Sequence, residues 1–192
     1  MRNLLLALIF GILIGAGGTY VLLESGGLES QIFAPFNSNS LVKISEASAQ
    51  PVFSPDAEEF FVSQIDSAQK TIDVEMYTFS NKNLISALER AKERGVKVRL
   101  ILESRIDSTT NIATMKTLKA DGIEARWATI TYKLTHAKLM IIDGKKVIVG
   151  SHNWSKAAMT ANREASVYIE SEKLAQEFLG EFEKDWELGT PN

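Results

Sequence analysis

The chain has 192 residues with 21 basic and 24 acidic side chains, a net charge of −3, no cysteine and two histidines. That length holds one ordinary domain with a real core, and the acidic balance excludes a uniformly basic nucleic-acid binder, so any attraction for phosphate must be local. The missing cysteines exclude disulfides, thiolate chemistry and cysteine zinc sites, and two histidines are too few for a multi-histidine metal site. The expectation is therefore chemistry without a metal or a cofactor.

Residues 4–23 carry no charge and follow Met1-Arg2-Asn3 as about twenty mostly apolar positions, the length that crosses a bilayer. A transmembrane anchor over residues 1–24 is the first reading, with a cleaved signal peptide as its competitor because Gly15, Ala16, Gly17 and Gly18 resemble a cleavage region. Arg2 before the span and Glu24 after it orient the remainder to the outer side, periplasmic or at the cell surface, and secreted if the segment is removed. Gly11 and Gly15 form a GxxxG pair of the kind that lets two spans pack closely. Residues 25–53, rich in Ser, Gly and Asn without a sustained period, read as a linker.

The folded domain is expected over residues 54–192. Ser54-Pro55-Asp56 predicts a helix start, with Phe60, Phe61, Ile65 and Ala68 at helical spacing over 56–69. Thr71 to Phe79 alternates as a strand, Asn81 caps a helix carrying Leu84, Ile85, Leu88 and Ala91, and Gly95 ends that helix. A strand at 96–102, a helix at 109–120 closed by Gly122, and a strand at 123–127 complete a βαβαβ order. Such an order predicts a mostly parallel sheet covered by helices.

The stretch from His136 to Asn153 carries the chemistry. His136 and Lys138 lie two apart, so on a strand they share a face. Leu139 to Ile142, Asp143-Gly144 and Val147 to Val149 read as a tight hairpin that returns Ser151 and Asn153 to the same end. An imidazole, an ammonium, a hydroxyl and an amide that converge suit a phosphodiester: lysine and asparagine donate to the non-bridging oxygens, and histidine attacks phosphorus to give a covalent phosphohistidine. Asp143 sits where Asp-Gly is expected for backbone reasons and reads as a support of the fold. His152 alternates away from Ser151 and Asn153 and reads as structural.

His136, Lys138, Asp143, Gly150, Ser151 and Asn153 stand at the spacing of the HxKxxxxDxxxxxxGSxN signature, and the chain from about Phe60 onward resembles the small single-motif endonucleases of the phospholipase D superfamily. The resemblance implies a mixed, mostly parallel central sheet sandwiched by helices, preceded here by the N-terminal transmembrane helix. It also implies that Glu164 holds the catalytic histidine. Two signatures make one working site in that family, and this chain has one. The resemblance thus implies a homodimer with a composite site, one His136 attacking and the other protonating the leaving oxygen.

Trp154 to Ala161 reads as a short helix, 165–169 as a strand, and 172–187 as a last helix with Leu174, Phe178 and Phe182 inward. Lys133, Lys145, Lys146, Lys156 and Arg163 surround the signature, and Lys133 and Lys156 join Lys138 and Asn153 as candidate substrate-binding residues. Tyr132, Trp127 and Trp154 lie near enough in sequence to stack on bases, or else pack. The sequence thus reads as a metal-independent phosphodiesterase, a nonspecific endonuclease on DNA or RNA. The alternatives are a phospholipase at the membrane surface and a membrane-tethered nucleic-acid binder that does not cleave. The mitochondrial-surface member of the family shares the anchor and single signature but carries a cysteine-containing zinc element, which this chain lacks.

Overall fold

The computed structural model describes residues 47–106 and 109–191. The expected apolar span, its glycine pair and the linker as far as residue 46 lie outside the described residues. Among the described residues no helix is long and apolar enough to cross a membrane.

In chain order the elements are β1 (Ser48–Phe53), α1 (Glu58–Ser67), β2 (Thr71–Met76), α2 (Lys82–Glu93), β3 (Lys97–Leu102), α3 (Thr109–Ala120), β4 (Glu124–Trp127), β5 (Lys138–Ile142), β6 (Lys146–Gly150), α4 (Lys156–Thr160), β7 (Ala165–Glu170), α5 (Glu172–Leu188) and β8 (Thr190–Pro191). One mixed sheet runs β1-β7-β6-β5-β2-β3-β4-β8. The expectation of a mostly parallel sheet is corrected: only β2–β3 and β3–β4 are parallel, and the other five pairings are antiparallel. The cause lies in the connections. A parallel pair needs a crossover back to the starting end, which α2 and α3 supply. The segments 128–137 and 151–164 instead leave and re-enter the sheet at one end, so β5 and β7 run against their neighbours.

Residues 48–53, expected to belong to the linker, form β1 and pair with β7 in full register from Ser48↔Glu170 to Phe53↔Ala165. Pro51 hides this strand in the sequence, because proline argues against a strand except at an edge, which is where β1 lies. The first helix begins later than expected, at Glu58, after a cis Ser54–Pro55 peptide and with Ala57 at the cap. The Asn81 cap is as expected, its Oδ1 accepting from the Asn83 and Leu84 amides at 2.9 and 3.1 Å.

Side-chain alternation gives the two sheet faces different covers. Ile72, Val74 and Met76 of β2 join Phe61, Ile65, Leu84, Leu88 and Met115 in the larger core beneath α1, α2 and α3. On the other face Leu139, Ile141 and Val147 pack against Ala175 and Phe182 of α5. Asp73 points to this second face, where Arg99 bonds it at 2.6 Å, reaches Glu183 of α5 at 2.7 Å, and lies 5.0 Å from the Phe182 ring. Most acids of α5 are solvated as expected, but Glu183 helps to dock the helix.

The β5–β6 turn has Asp143 and Gly144 both at positive φ, 54° and 62°, the pair that matches the twist of a hairpin. The Asp143 carboxylate reaches back to accept from the Lys70 and Thr71 amides at 2.7 and 3.0 Å and from the Gln69 amide at 3.1 Å, tying the hairpin tip to the start of β2. Burial would raise its pKa, but the Thr71, Lys70 and Gln69 amides outweigh that and hold it below the usual aspartate range. This is the support of the fold read from the sequence, at the end of β5 remote from Lys138. Because its pKa is lowered on folding, its contribution is present above the unfolded value and is lost as pH falls through the folded one. Asp143→Asn should lower stability by about 1–2 kcal/mol at neutral pH. In thermal melts the gap between variant and parent should close at strongly acid pH, and a constant gap would contradict the assignment.

Candidate active site

The end of the sheet where β2, β3 and β4 finish and β5 starts carries the expected constellation. Lys138, the first residue of β5, pairs with Met76, the last residue of β2, and the next amide of the chain, Tyr77, donates to the Ala137 carbonyl at 3.1 Å. His136 is exposed, with its ring centroid 4.4 Å from that of Tyr77. Lys138 is nearly buried: its Nζ donates to the His136 carbonyl at 2.8 Å and lies 4.8 Å from the centre of the Tyr77 ring. Burial pushes the Lys138 pKa down to about 8, with the Glu164 charge opposing the drop.

The second strand of the hairpin delivers the rest. Gly150 pairs with Ser166 of β7 so closely that a methyl group there would collide with Ser166 and with the Ala165 carbonyl, which explains the glycine in sequence terms. Just beyond, the Ser151 amide donates to the Ala165 carbonyl at 2.9 Å. The Ser151 hydroxyl donates to Glu164 Oε2 at 2.6 Å and accepts from the Ala165 amide at 3.0 Å. Glu164 also accepts from the Asn162 side chain at 3.1 Å. The Ser151 bond first, then Asn162 and the charges of His152 and Lys138, outweigh desolvation and keep this carboxyl below the usual range.

His136 and Lys138 are therefore joined directly, Ser151 and Glu164 are joined directly, and the Glu164 charge couples the two pairs. Glu164 departs from expectation in one respect. Within one protomer its bonds go to Ser151 and Asn162, and a bond to a histidine is not among them. Asn153 is half-buried, with an amide oxygen enclosed and unpartnered. Lys133, in the loop before His136, and Lys156, the first residue of α4, are both exposed. Trp154 is packing: it is buried against Phe79 and Phe61. His152 is fully buried, its Nδ1 2.7 Å from the Ser166 hydroxyl and its ring 5.3 Å from Phe61, and burial pushes its pKa down.

Several residues absent from the sequence reading hold the site in shape. Glu103, at the end of β3, is fully buried and accepts from the Thr135 amide at 2.7 Å, one residue before His136. It also accepts from the Arg105 amide and guanidinium at 2.7 and 2.8 Å. Burial alone would raise its pKa, yet the Arg105 guanidinium and the Thr135 and Arg105 amides bring it down to about 2. Arg105 in turn donates to the Tyr132 and Thr129 carbonyls. Buried Asn111 of α3 accepts from the Phe79 amide at 3.0 Å and donates to the Tyr77 and Glu103 carbonyls at 2.8 Å, fixing the turn that carries Tyr77. The available signal was a carboxylate and a guanidinium two residues apart at the end of an apolar strand.

The coupling of Lys138 to Glu164 has a direct consequence. In a magnetic resonance titration of labelled lysine, Lys138 should lose its proton near pH 8, and Glu164→Gln should move that midpoint lower still, because the carboxylate favours the charged ammonium. A midpoint in the ordinary lysine range, unmoved by the substitution, would contradict it.

Comparison with known proteins agrees with this geometry. Residues 61–186 match the family model described as "Cardiolipin synthase, PLD-like domain". A phospholipase D of Rickettsia prowazekii is 34% identical over 148 residues, covering 76% of this chain and 71% of that protein. The mitochondrial cardiolipin hydrolase of Danio rerio is 30% identical over 125 residues, 65% of this chain and 55% of that relative, so the chain spans a little over half its length. Among solved structures, the phospholipase D family member Nuc from Salmonella typhimurium superposes with a TM-score of 0.72 at 34% identity, over 77% of this chain and 99% of Nuc. With its mixed sheet flanked by helices and one signature at the end of that sheet, the chain belongs to the phospholipase D superfamily.

Proposed function

We propose that the protein is a metal-independent phosphodiesterase, a sequence-nonspecific endonuclease on DNA or RNA that works through a covalent phosphohistidine. The observation that carries this reading is an exposed imidazole, His136, and a desolvated ammonium, Lys138, that meet the same Tyr77 ring at one strand end. A ring nitrogen of His136 attacks phosphorus as the bond to the leaving oxygen breaks. Lys138 and the Asn153 amide neutralise the non-bridging oxygens as charge builds on them. Water then attacks the phosphohistidine and frees the imidazole.

The leaving oxygen needs a proton, and a nucleophile consumed in a covalent bond cannot deliver it in the same step. His152, the other histidine of the chain, is buried away from solvent. The reading therefore takes the acid from His136 of a second copy across a twofold axis. Glu164 and Ser151 form the hydrogen-bonded support beside the phosphate, Lys133 and Lys156 supply outlying cations, and Asp143 serves the fold. Within this reading residues 4–23 anchor the chain in a membrane, with the catalytic domain outside the cytoplasm.

Nucleic acid is favoured over lipid by the exposed lysines around the signature and by the small domain, which leaves little chain to build an acyl pocket. A phospholipase at the membrane surface is the second reading, favoured by the likeness to the Rickettsia prowazekii phospholipase D and the Danio rerio cardiolipin hydrolase. Capture of nucleic acid without cleavage is the reading from another class.

One assay separates them: full-length protein in detergent with EDTA, offered single-stranded DNA, duplex DNA, RNA, and phosphatidylcholine or cardiolipin vesicles. Cleavage of nucleic acid with no release of phosphatidic acid is expected, and the reverse result selects the phospholipase. His136→Ala should lower turnover by roughly 10⁴-fold or more while thermal melting stays unchanged, and surviving activity would reject the nucleophile. On the alkaline side kcat/KM should fall with a midpoint near pH 8, where Lys138 loses its charge. A profile flat to pH 10 would remove Lys138 from the reaction.

A further inference from the structure

We propose that Tyr77, which lies outside the signature, is the positioning residue of the nucleophile. Its ring holds the His136 imidazole and the Lys138 ammonium in fixed relation, and the segment it begins ties both to the arm that carries Asn153. The proposal rests on the reading of His136 as the nucleophile. An exposed histidine turns about two side-chain bonds, and each orientation carries its nitrogens to a different place. Among the described residues neither ring nitrogen of His136 makes a hydrogen bond that would select one orientation. Within one protomer Glu164 bonds Ser151 and Asn162 instead. The contact that does hold the imidazole is the Tyr77 ring, with centroids 4.4 Å apart and planes tilted by 57°. That separation is at the close end of what aromatic pairs adopt.

The same ring serves the second group. Lys138 Nζ lies 4.8 Å from its centroid, inside the roughly 6 Å over which the face of a ring attracts a cation. Nζ also donates to the His136 carbonyl at 2.8 Å, so the nearly buried ammonium is held between that carbonyl and the ring. Spacing of two on β5 puts His136 and Lys138 on one face, but it leaves their outer atoms free to diverge. One half-buried aromatic side chain meets both and removes that freedom.

The backbone fixes Tyr77 from two sides. Its amide donates at 3.1 Å to the carbonyl of Ala137, the residue between His136 and Lys138, and its carbonyl accepts from buried Asn111 at 2.8 Å. Two residues on, the Phe79 amide donates to Asn111 at 3.0 Å and the Phe79 carbonyl accepts from the Thr114 hydroxyl at 2.6 Å, so α3 holds this segment. The other arm of the signature meets the same segment. Trp154, next to Asn153, donates its amide to the Thr78 carbonyl at 2.9 Å, and its carbonyl accepts from the Ser80 and Asn81 amides at 2.7 and 2.9 Å. Residues 77–81 thus bridge the two arms, and Tyr77 is the side chain through which the bridge touches His136 and Lys138. Such aim matters to rate, because displacing a reacting group by about 1 Å can cost roughly 10²-fold.

The effect belongs in kcat, because the ring governs where the imidazole points and not how substrate binds. In the full-length protein in detergent, Tyr77→Phe keeps the ring and should keep kcat within about threefold, whereas Tyr77→Leu should lower kcat by roughly 10²-fold with KM within about threefold. A second readout is independent of turnover. The chain has two histidines, and the His136 signals are assigned by their loss in His136→Ala. Magnetic resonance of labelled histidine should show a ring-current displacement of those signals in the parent and in Tyr77→Phe that vanishes in Tyr77→Leu. Tyr77→Met is read in the same way if the leucine variant does not fold. A ringless variant with parental kcat, His136 signals that stay in place when the ring is removed, or a Tyr77→Phe protein as slow as Tyr77→Leu overturns the proposal. Failure of the functional reading looks different: the parent then cleaves no phosphodiester, or His136→Ala cleaves as the parent does, while the Tyr77 ring still displaces the His136 signals.

Discussion

Strand β5 is pinned at both ends by the same kind of bond, a carboxylate accepting backbone amides, and the site depends on that double fixation. At the hairpin tip Asp143 takes the amides of residues 69–71, and at the other end Glu103 takes the amide of Thr135. Both carboxyls are held below their ordinary range, because the amides and, for Glu103, Arg105 outweigh the cost of burial. Between these two points the strand has little freedom to slide, so Lys138 is set at the end of β2 with its ammonium on the His136 carbonyl. A slip of one residue would turn His136 and Lys138 together to the opposite face and take both away from Tyr77.

Much of this was legible in the sequence. Period-two alternation places Ile72, Val74 and Met76 in one core, two-residue spacing places His136 with Lys138, and the Asp-Gly turn folds Ser151 back to the same end. What the sequence concealed depends on long-range partners. The antiparallel character of β5 and β7 comes from connections that stay at one end of the sheet, which local periodicity does not encode. Strand β1 was hidden because Pro51 argues against a strand unless the neighbours show that it is an edge. Glu103 and Arg105 went unread, since nothing local announces that residues 129–135 will close over them. The Ser151 partner of Glu164 was likewise hidden, because only the folded hairpin brings that hydroxyl to the start of β7.

The two faces of the sheet divide the labour. The face under α1, α2 and α3 is a conventional apolar core, and it reaches the site through Phe79, Trp154 and the buried His152. The α5 face mixes apolar contacts with charge: Asp73, Arg99 and Glu183 form one chain of ion pairs, and the Asp185 charge lies near enough to Tyr132 to push that phenol's pKa up. Glu75 lies on this face too, nearly enclosed, and burial followed by repulsion from Asp185 pushes its pKa up to about 7. The helix that closes the second core is thereby linked to the loop that leads into His136.

The direction of β1 matters for any mechanical load. The chain enters the sheet at Ser48, beside Glu170, and reaches the site end only at Phe53. Tension arriving along the preceding segment would be applied at the edge strand's remote terminus and carried by its ladder with β7, whose bonds share the strain when the pull runs along the strand. The catalytic residues sit beyond the last of those rungs. Traction on the leading segment would therefore be absorbed in shear before it could distort Ser151 or Glu164.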